Sequence, residues 1–540
     1  MIKRLAKTRI EKIYFLLLIA VVLGLALRLY GIRWGLPNAL HPEYSYHPDE
    51  VFHLIYARML VDGTIIGKQF MYGGTFYYSI LYAYYFVGDR FADLLGGANY
   101  FASTILFGRY VHTMLAILTI LIVYQCGRAF FGKTAGGLAA VILAVMPGHI
   151  LCAQRMRPDE IAAFLSALTI LLSWRLVSTD QGARLRLYII TGLLLGVATA
   201  LRFPLAMMIA APVAAHAFAS GGKSGAEVLR SLLDWKMAAM LVAVFLGYVI
   251  ASPHTFMYPD WFMQGMKIQW RYQSNPFMDA VDAGPGIYQY GWTMLHEAMG
   301  YPIYFLALGG IVLALIKRSR ADIVILAAAV PYFILTTFTS WVVVRYTLPL
   351  LPALAILAGR FVVYVAEEIP RRKIAAYAVL AMALSVTVMA DYAYLKMEAG
   401  QDVRDEASGW IQDKLPRGSS ILTVRAYYED YYFNPVVPPG YQAPVFFLTG
   451  NVDSAPLFQD FGFDYLVLNE LIYKNMERLG ERHPYERVRI FHESLVNSHY
   501  RRIKEFKQPI EAMGIDFSSW FTSHDYVIAN PEIRIYQYQG

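Results

Sequence analysis

Eleven apolar stretches fill most of residues 13–394 and leave this chain few ways to fold. They run 13–30, 108–126, 135–151, 160–177, 188–201, 203–219, 236–252, 301–316, 322–340, 344–365 and 374–394. About 17 to 25 mostly apolar residues cross a bilayer as a helix, and only the fifth stretch is clearly shorter. In lipid every backbone N–H and C=O must be satisfied within the segment, so such stretches read as spanning helices. Composition agrees: 57% of residues are hydrophobic and 16% charged, against about 25% charged in soluble domains. The net charge of +7 predicts no nucleic-acid partner, because the basic residues lie in short clusters between apolar stretches.

Those clusters set the topology. Arg128 with Lys133, Arg184 with Arg186, Lys223 with Arg230 and Lys236, "KRSR" (317–320) and "RRK" (371–373) all belong inside by the positive-inside rule. So do Lys3, Arg4, Lys7, Arg9 and Lys12. "MIKRLAKTRIEK" leads into the first apolar stretch with no small-residue cleavage site after it, so the stretch is expected to stay as a helix. An even number of spans must separate two cytoplasmic points. The aromatic segment 73–95, which carries Asp89, Arg90 and Asp93, is therefore expected on the outer surface rather than across the membrane. The prediction is a polytopic α-helical membrane protein with about eleven spans, a large first outer loop at 31–107 and another at 253–300. Its N-terminus is cytoplasmic. Residues 1–395 form the membrane domain.

Residues 396–540 are polar and rich in Asp, Glu, Arg and His. Short strand-like runs at 420–424, 464–468, 525–529 and 533–538 alternate with helical stretches such as 402–415. A small soluble α/β domain is expected on the outer face, with the last two runs paired as a hairpin. Cys126 and Cys152 lie in or beside apolar segments and suggest neither a disulfide framework nor a metal motif.

With topology set, the charges gather on one side. "YSYHPDEVF" (44–52) carries Asp49 and Glu50, and "RMRPDEIAAF" (155–164) carries Asp159 and Glu160 between Arg155, Arg157 and the next span. Arg28, Arg109, Arg202 in "LRFP" and Arg345 in "VVVRYTLPLLP" fall near the same face, with His149, His254 and His296. Each feature has a plain structural explanation. Pro-Asp-Glu opens helices well, and arginines at span ends snorkel to headgroups. The ensemble is harder to explain that way, because ionisable groups at membrane depth are costly and tend to line cavities. Arginines grip phosphate bidentately, and a nearby carboxylate deprotonates a hydroxyl or holds a divalent cation. The set suits a lipid-linked phosphate substrate meeting a nucleophile at the membrane surface.

Here the sequence resembles the GT-C glycosyltransferases, and within them the protein O-mannosyltransferase and aminoarabinose-transferase branch (glycosyltransferase family 39 and bacterial relatives). The resemblance rests on "HPDEVFHLIYARML", "YGGTFYYSILYAYYF", "RMRPDEIAAFL", "TALRFPLAMMIAAP" and "VRYTLPLLPALAILAG" in that order, over roughly residues 10–365. It implies transfer of a sugar from a polyprenyl-phosphate donor to a glycan, lipid or protein acceptor at the outer face of a bacterial cytoplasmic membrane. It also implies Asp49 as catalytic base, Glu50 as its helper and Asp159 as a second acidic site residue. Arg155, Arg157, Arg202 and Arg345 are the implied phosphate ligands, with Arg58, Tyr72 and Glu160 as further substrate contacts. A divalent metal is left open, with Glu50 and His254 as candidate ligands. The Lys-Pro-Pro segment of the aminoarabinose transferases is replaced by "QFMYGGTF". Three other readings compete: a transporter, a membrane scaffold or sensor acting through the outer domain, and a glycan polymerase or ligase using a polyprenyl diphosphate.

Overall fold

A computed structural model describes residues 2–62, 74–94, 100–178, 184–220, 227, 230–274, 284–425, 432–448, 462–482, 486–496 and 499–540. Every one of the eleven apolar stretches is helical in it. Helices α1 (Ile2–Leu29), α2 (Pro48–Val61), α3 (Gly74–Leu94), α4 (Tyr100–Phe131), α5 (Lys133–Ala144), α6 (Pro147–Ala153), α7 (Pro158–Ser178) and α8 (Arg184–Leu201) follow in order. By length and composition, four helical stretches among the described residues could cross a membrane alone: Phe101–Phe131, Pro158–Ser178, Val344–Glu368 and one within Lys373–Lys414. Five shorter apolar helices accompany them. Phe245, Ile250, Val312 and Ile316 stand exposed on outward faces, as side chains do where lipid is the surroundings. The chain has the helices of a multi-pass membrane protein.

Three local breaks shape the mouth where the charged residues meet. α5 and α6 meet at a bend of 62°, where Pro147 opens α6 as its first residue; proline suits that position, where its missing N–H has no intrahelical partner. The bend turns α6 and the following 154–157 turn away from the line of α5. Phe203–Ile209 and Val344–Leu350 are both 3₁₀ turns feeding apolar helices, and Arg202 and Arg345 sit at their openings. Tighter winding leaves these arginines at the mouth instead of along a helix flank. Elsewhere packing is close: a side chain at Gly196 would run into the Val244 carbonyl of the neighbouring Trp235–Ala251 helix, so the two backbones touch there.

Residues 73–95 contain one continuous helix, α3, packed on α2 and α4 through buried Tyr77, Tyr78 and Leu81. All described strands lie beyond residue 420: β1 (Ile421–Arg425), β2 (Val445–Phe447), β3 (Tyr465–Asn469), β4 (Tyr500–Phe506), β5 (Glu511–Ala512), β6 (Ile515–Asp516) and β7 (Ile533–Tyr538). A five-stranded sheet has the order β2-β1-β3-β7-β4; β1 pairs parallel with β2 and β3, and β7 antiparallel with β3 and β4.

The expected strand at 525–529 does not form, and neither does the hairpin built on it. His524–Val527 is a helical turn, and β7 pairs with β3 and β4 instead. A short buried apolar run has no periodicity that separates strand from helix. Here Ser523 and its neighbours are drawn against the membrane helices. β4, with the sequence "YRRIKEF", escaped prediction because it is a mostly exposed edge strand whose charges mask any alternation.

Candidate active site

The mouth is assembled from five separate parts of the chain. α2 begins at Pro48 with both carboxylates in its first turn, where the helix dipole favours them. Their fates differ. Glu50 is fully buried: Arg109 donates to it twice, at 2.8 and 2.7 Å, Ser45 Oγ at 2.8 Å and the Met156 N–H at 2.9 Å. Arg109 spends its remaining reach on the Ile32 and Trp34 carbonyls, both at 2.7 Å. Asp49, one residue away, keeps its side chain 38% exposed and lies 3.7 Å from Arg157.

Arg157 is the hub. Its guanidinium approaches Asp49 Oδ2 (3.7 Å), Asp159 Oδ2 (3.6 Å), Asp525 Oδ1 (3.5 Å) and His47 Nε2 (3.1 Å), and it is almost wholly buried. Arg202 closes on Asp159, and Arg345 on Asp525. Asp525 Oδ2 also accepts from the Arg345 backbone N–H at 2.9 Å. Tyr346 lies between the two arginines, 5.2 Å from Arg202 and 5.8 Å from Arg345. The cluster thus holds three guanidiniums and three carboxylates, and Asp49 is the carboxylate that solvent reaches most.

Electrostatics follow from this packing. Burial works to raise the Asp49 carboxyl, but Arg345 and Arg157 outweigh it and hold it below the ordinary value. Burial likewise opposes Glu50, and Arg109 more than offsets it, so Glu50 also sits low. Asp525 is held well below the carboxylate range against its burial, chiefly by Arg345 and Arg157. His53 is pushed down to about 4 by burial, and His47 falls well below its usual value through burial and Arg157. Both imidazoles are neutral at pH 7.

Asp49, Asp159, Arg157, Arg202 and Arg345 therefore come together. Other expected contacts do not. Arg155 turns away, pairing with buried Glu398 and lying 4.2 Å from the Trp34 ring. Glu160 points beneath the mouth, 3.4 Å from His149, which contacts Arg28 at 2.5 Å. Arg58 is exposed on α2, 3.8 Å from Asp62. Tyr72 lies outside the described residues. For a metal, Glu50 has its oxygens occupied and His254 stacks on Tyr258. Among the described residues no group of three or more His, Cys, Asp or Glu is placed to hold an ion.

Two carboxylates were missed by sequence reasoning. Asp525 is one. Glu297 is the other: it accepts from Thr522 Oγ1 at 2.6 Å and the Ser523 N–H at 3.0 Å, and its carbonyl accepts from Tyr526 OH at 3.1 Å. These bonds fasten residues 522–526 over the mouth. Burial raises the Glu297 carboxyl to about 7, against the lowering pull of its Ser523 and Thr522 bonds. A raised carboxyl stabilises the fold below its ordinary value of 4.5 and loses that contribution as pH climbs through about 7. Wild type should therefore lose thermal stability relative to Glu297→Gln between about pH 5 and 8; parallel melting curves at the two pH values decide it.

Comparison with known proteins fits this architecture. Residues 96–256 match the family model for dolichyl-phosphate-mannose-protein mannosyltransferases. ArnT from Cupriavidus metallidurans, bound to undecaprenyl phosphate, aligns with a TM-score of 0.51 at 14% identity, covering 97% of this chain and 98% of that one. This chain has the fold of ArnT, and about a third of it matches the mannosyltransferase family model. The apo ArnT structure gives a TM-score of 0.50 at 14% identity, over 88% of this chain and 95% of that one. The apo oligosaccharyltransferase of Archaeoglobus fulgidus gives 0.48 at 14%, over 96% and 77%. No curated protein matches in sequence. The family match takes in Arg109, Arg157, Asp159 and Arg202 but ends before Arg345 and Asp525.

Proposed function

We propose that this protein moves a sugar from a polyprenyl-phosphate donor to an acceptor hydroxyl at the outer face of the membrane, inverting the anomeric carbon in one displacement. The observation that carries this reading is the solvent-reached Asp49 carboxylate beside buried Arg157, within a cluster that includes Arg202 and Arg345. The donor's lipid tail stays in the bilayer and its phosphate docks on Arg345 and Arg157, with Arg202 oriented by Asp159. The acceptor comes from water, and Asp49 takes its proton as the oxygen attacks the anomeric carbon. The bond from that carbon to the phosphate oxygen breaks, and the arginines stabilise the charge growing on the leaving polyprenyl phosphate.

Asp49 held low is a weak base, which suits a hydroxyl that becomes acidic only as its new bond forms. Glu50 acts as a positioning residue: with Arg109 it fixes the first turn of α2. The eleven helical stretches are read as eleven spans, with residues 1–395 as the membrane unit, 396–540 as the outer unit and the N-terminus in the cytoplasm.

The test is a transfer assay on purified protein in nanodiscs, offering radiolabelled polyprenyl-phosphate mannose, glucose and arabinose in turn. Wild type should release label from one of them, and Arg345→Gln should lose donor affinity by roughly tenfold or more, the scale of one charge-assisted bond to phosphate. Folded wild-type protein silent with all three donors would return weight to the scaffold or the diphosphate-dependent reading.

A further inference from the structure

Asp525 sits where the donor's phosphate is expected. It reaches the mouth from a turn 180 residues beyond Arg345 and 368 beyond Arg157, and both guanidiniums close on its carboxylate. The turn is held at its other end by Glu297, through Thr522 and Ser523. Phe521 and Tyr526 pack on Tyr394 at 4.8 and 5.2 Å, so the turn is seated from both sides.

We propose that Asp525 is a built-in substitute anion: it keeps Arg345 and Arg157 charged, oriented and dry until a donor arrives, and the donor's phosphate then takes the guanidiniums from it. The proposal rests on the reading that these arginines bind the phosphate. Charge supports the exchange. Three guanidiniums face three carboxylates in the cluster, so an anion added with Asp525 still paired would leave excess negative charge at a site shielded from water. A sugar-phosphate diester carries one negative charge, the same as the carboxylate it displaces. The seat stays neutral when the phosphate enters because the turn withdraws the Asp525 carboxylate from the cluster toward water. Asp525 is thus a positioning residue, acting on the reaction through Arg345 and Arg157.

The probe is undecaprenyl phosphate, a monoester held at about pH 5.5 so that it carries mostly one charge like the donor's diester, with binding measured on the full-length protein in nanodiscs. Asp525→Asn should bind it roughly tenfold or more tightly than wild type, since one charge-assisted bond no longer has to be broken. Asp525→Glu, which keeps the competing charge, should stay near wild type. In turnover the Asn variant should show a lower donor KM. A folded Asn variant that binds equally or more weakly would overturn the proposal and leave Asp525 a structural partner of Arg345. Arg345→Gln binding as tightly as wild type would overturn the phosphate reading, and the proposal with it.

Hydrogen exchange on wild type covers the case of an Asn variant that does not fold. Residues 523–528 should exchange faster once undecaprenyl phosphate is bound, because the inward anchor of the turn is released. Unchanged or slower exchange there would also overturn the proposal.

Discussion

Asp49→Asn should reduce sugar transfer by roughly 10²–10⁴-fold while leaving folding and polyprenyl-phosphate binding near wild type. The two carboxamide-for-carboxylate changes available in α2 have different consequences. Asp49 is partly exposed and its ion-pair contact is a loose one to Arg157 at 3.7 Å, so an amide fits the same space and strands no deeply buried charge. What it removes is the proposed proton acceptor. Because the arginines hold the carboxyl low, wild-type activity should also show no acid limb from this group above about pH 4.5. The decisive measurement is single-turnover transfer beside donor binding for the same preparation. An Asn variant that turns over normally would remove Asp49 as the base, and one that neither binds donor nor folds would make it structural.

Much of this architecture was legible in the sequence, for identifiable reasons. Apolar length dictates helices in a membrane, and all eleven apolar stretches are helical. "LRFP" placed Arg202 at a helix opening because proline marks where winding starts, and the apolar run after "VVVRY" put Arg345 at the start of its own helical stretch. The two Pro-Asp-Glu motifs placed Asp49 and Asp159 together. What could not be read is which way a side chain turns from a correct position. Arg155 and Arg157 stand two residues apart, yet one serves Glu398 and the other the mouth. Adjacent Asp159 and Glu160 diverge because successive helical residues point about 100° apart. Asp525 and Glu297 stayed hidden because their partners lie more than 170 residues away, and no local pattern encodes such a meeting.

Breaking the Glu50–Arg109 pair from one side should cost about 3–5 kcal/mol of stability, the second large effect. Both groups are fully buried, and Arg109 has no water to turn to. Glu50→Ala therefore leaves a guanidinium in a dry interior and also strips acceptors from Ser45 Oγ and the Met156 N–H. The expected readout is a large drop in melting temperature and poor recovery from the membrane. Replacing both partners with apolar residues of similar volume, Glu50→Leu with Arg109→Met, should restore part of the stability, since no unpaired charge remains. Ser45 Oγ, the Met156 N–H and the Ile32 and Trp34 carbonyls would still lack partners. Activity should not return with it. Arg109 also ties the Ile32 and Trp34 carbonyls to α2, so the double variant loses the brace that aims Asp49 at the arginines. Stability regained with kcat still depressed and donor affinity near wild type is the signature of positioning. A double variant restored in both respects would show that Glu50 only stabilises the fold. If Glu50→Ala proved stable yet inactive, Glu50 would instead belong in the chemistry beside Asp49.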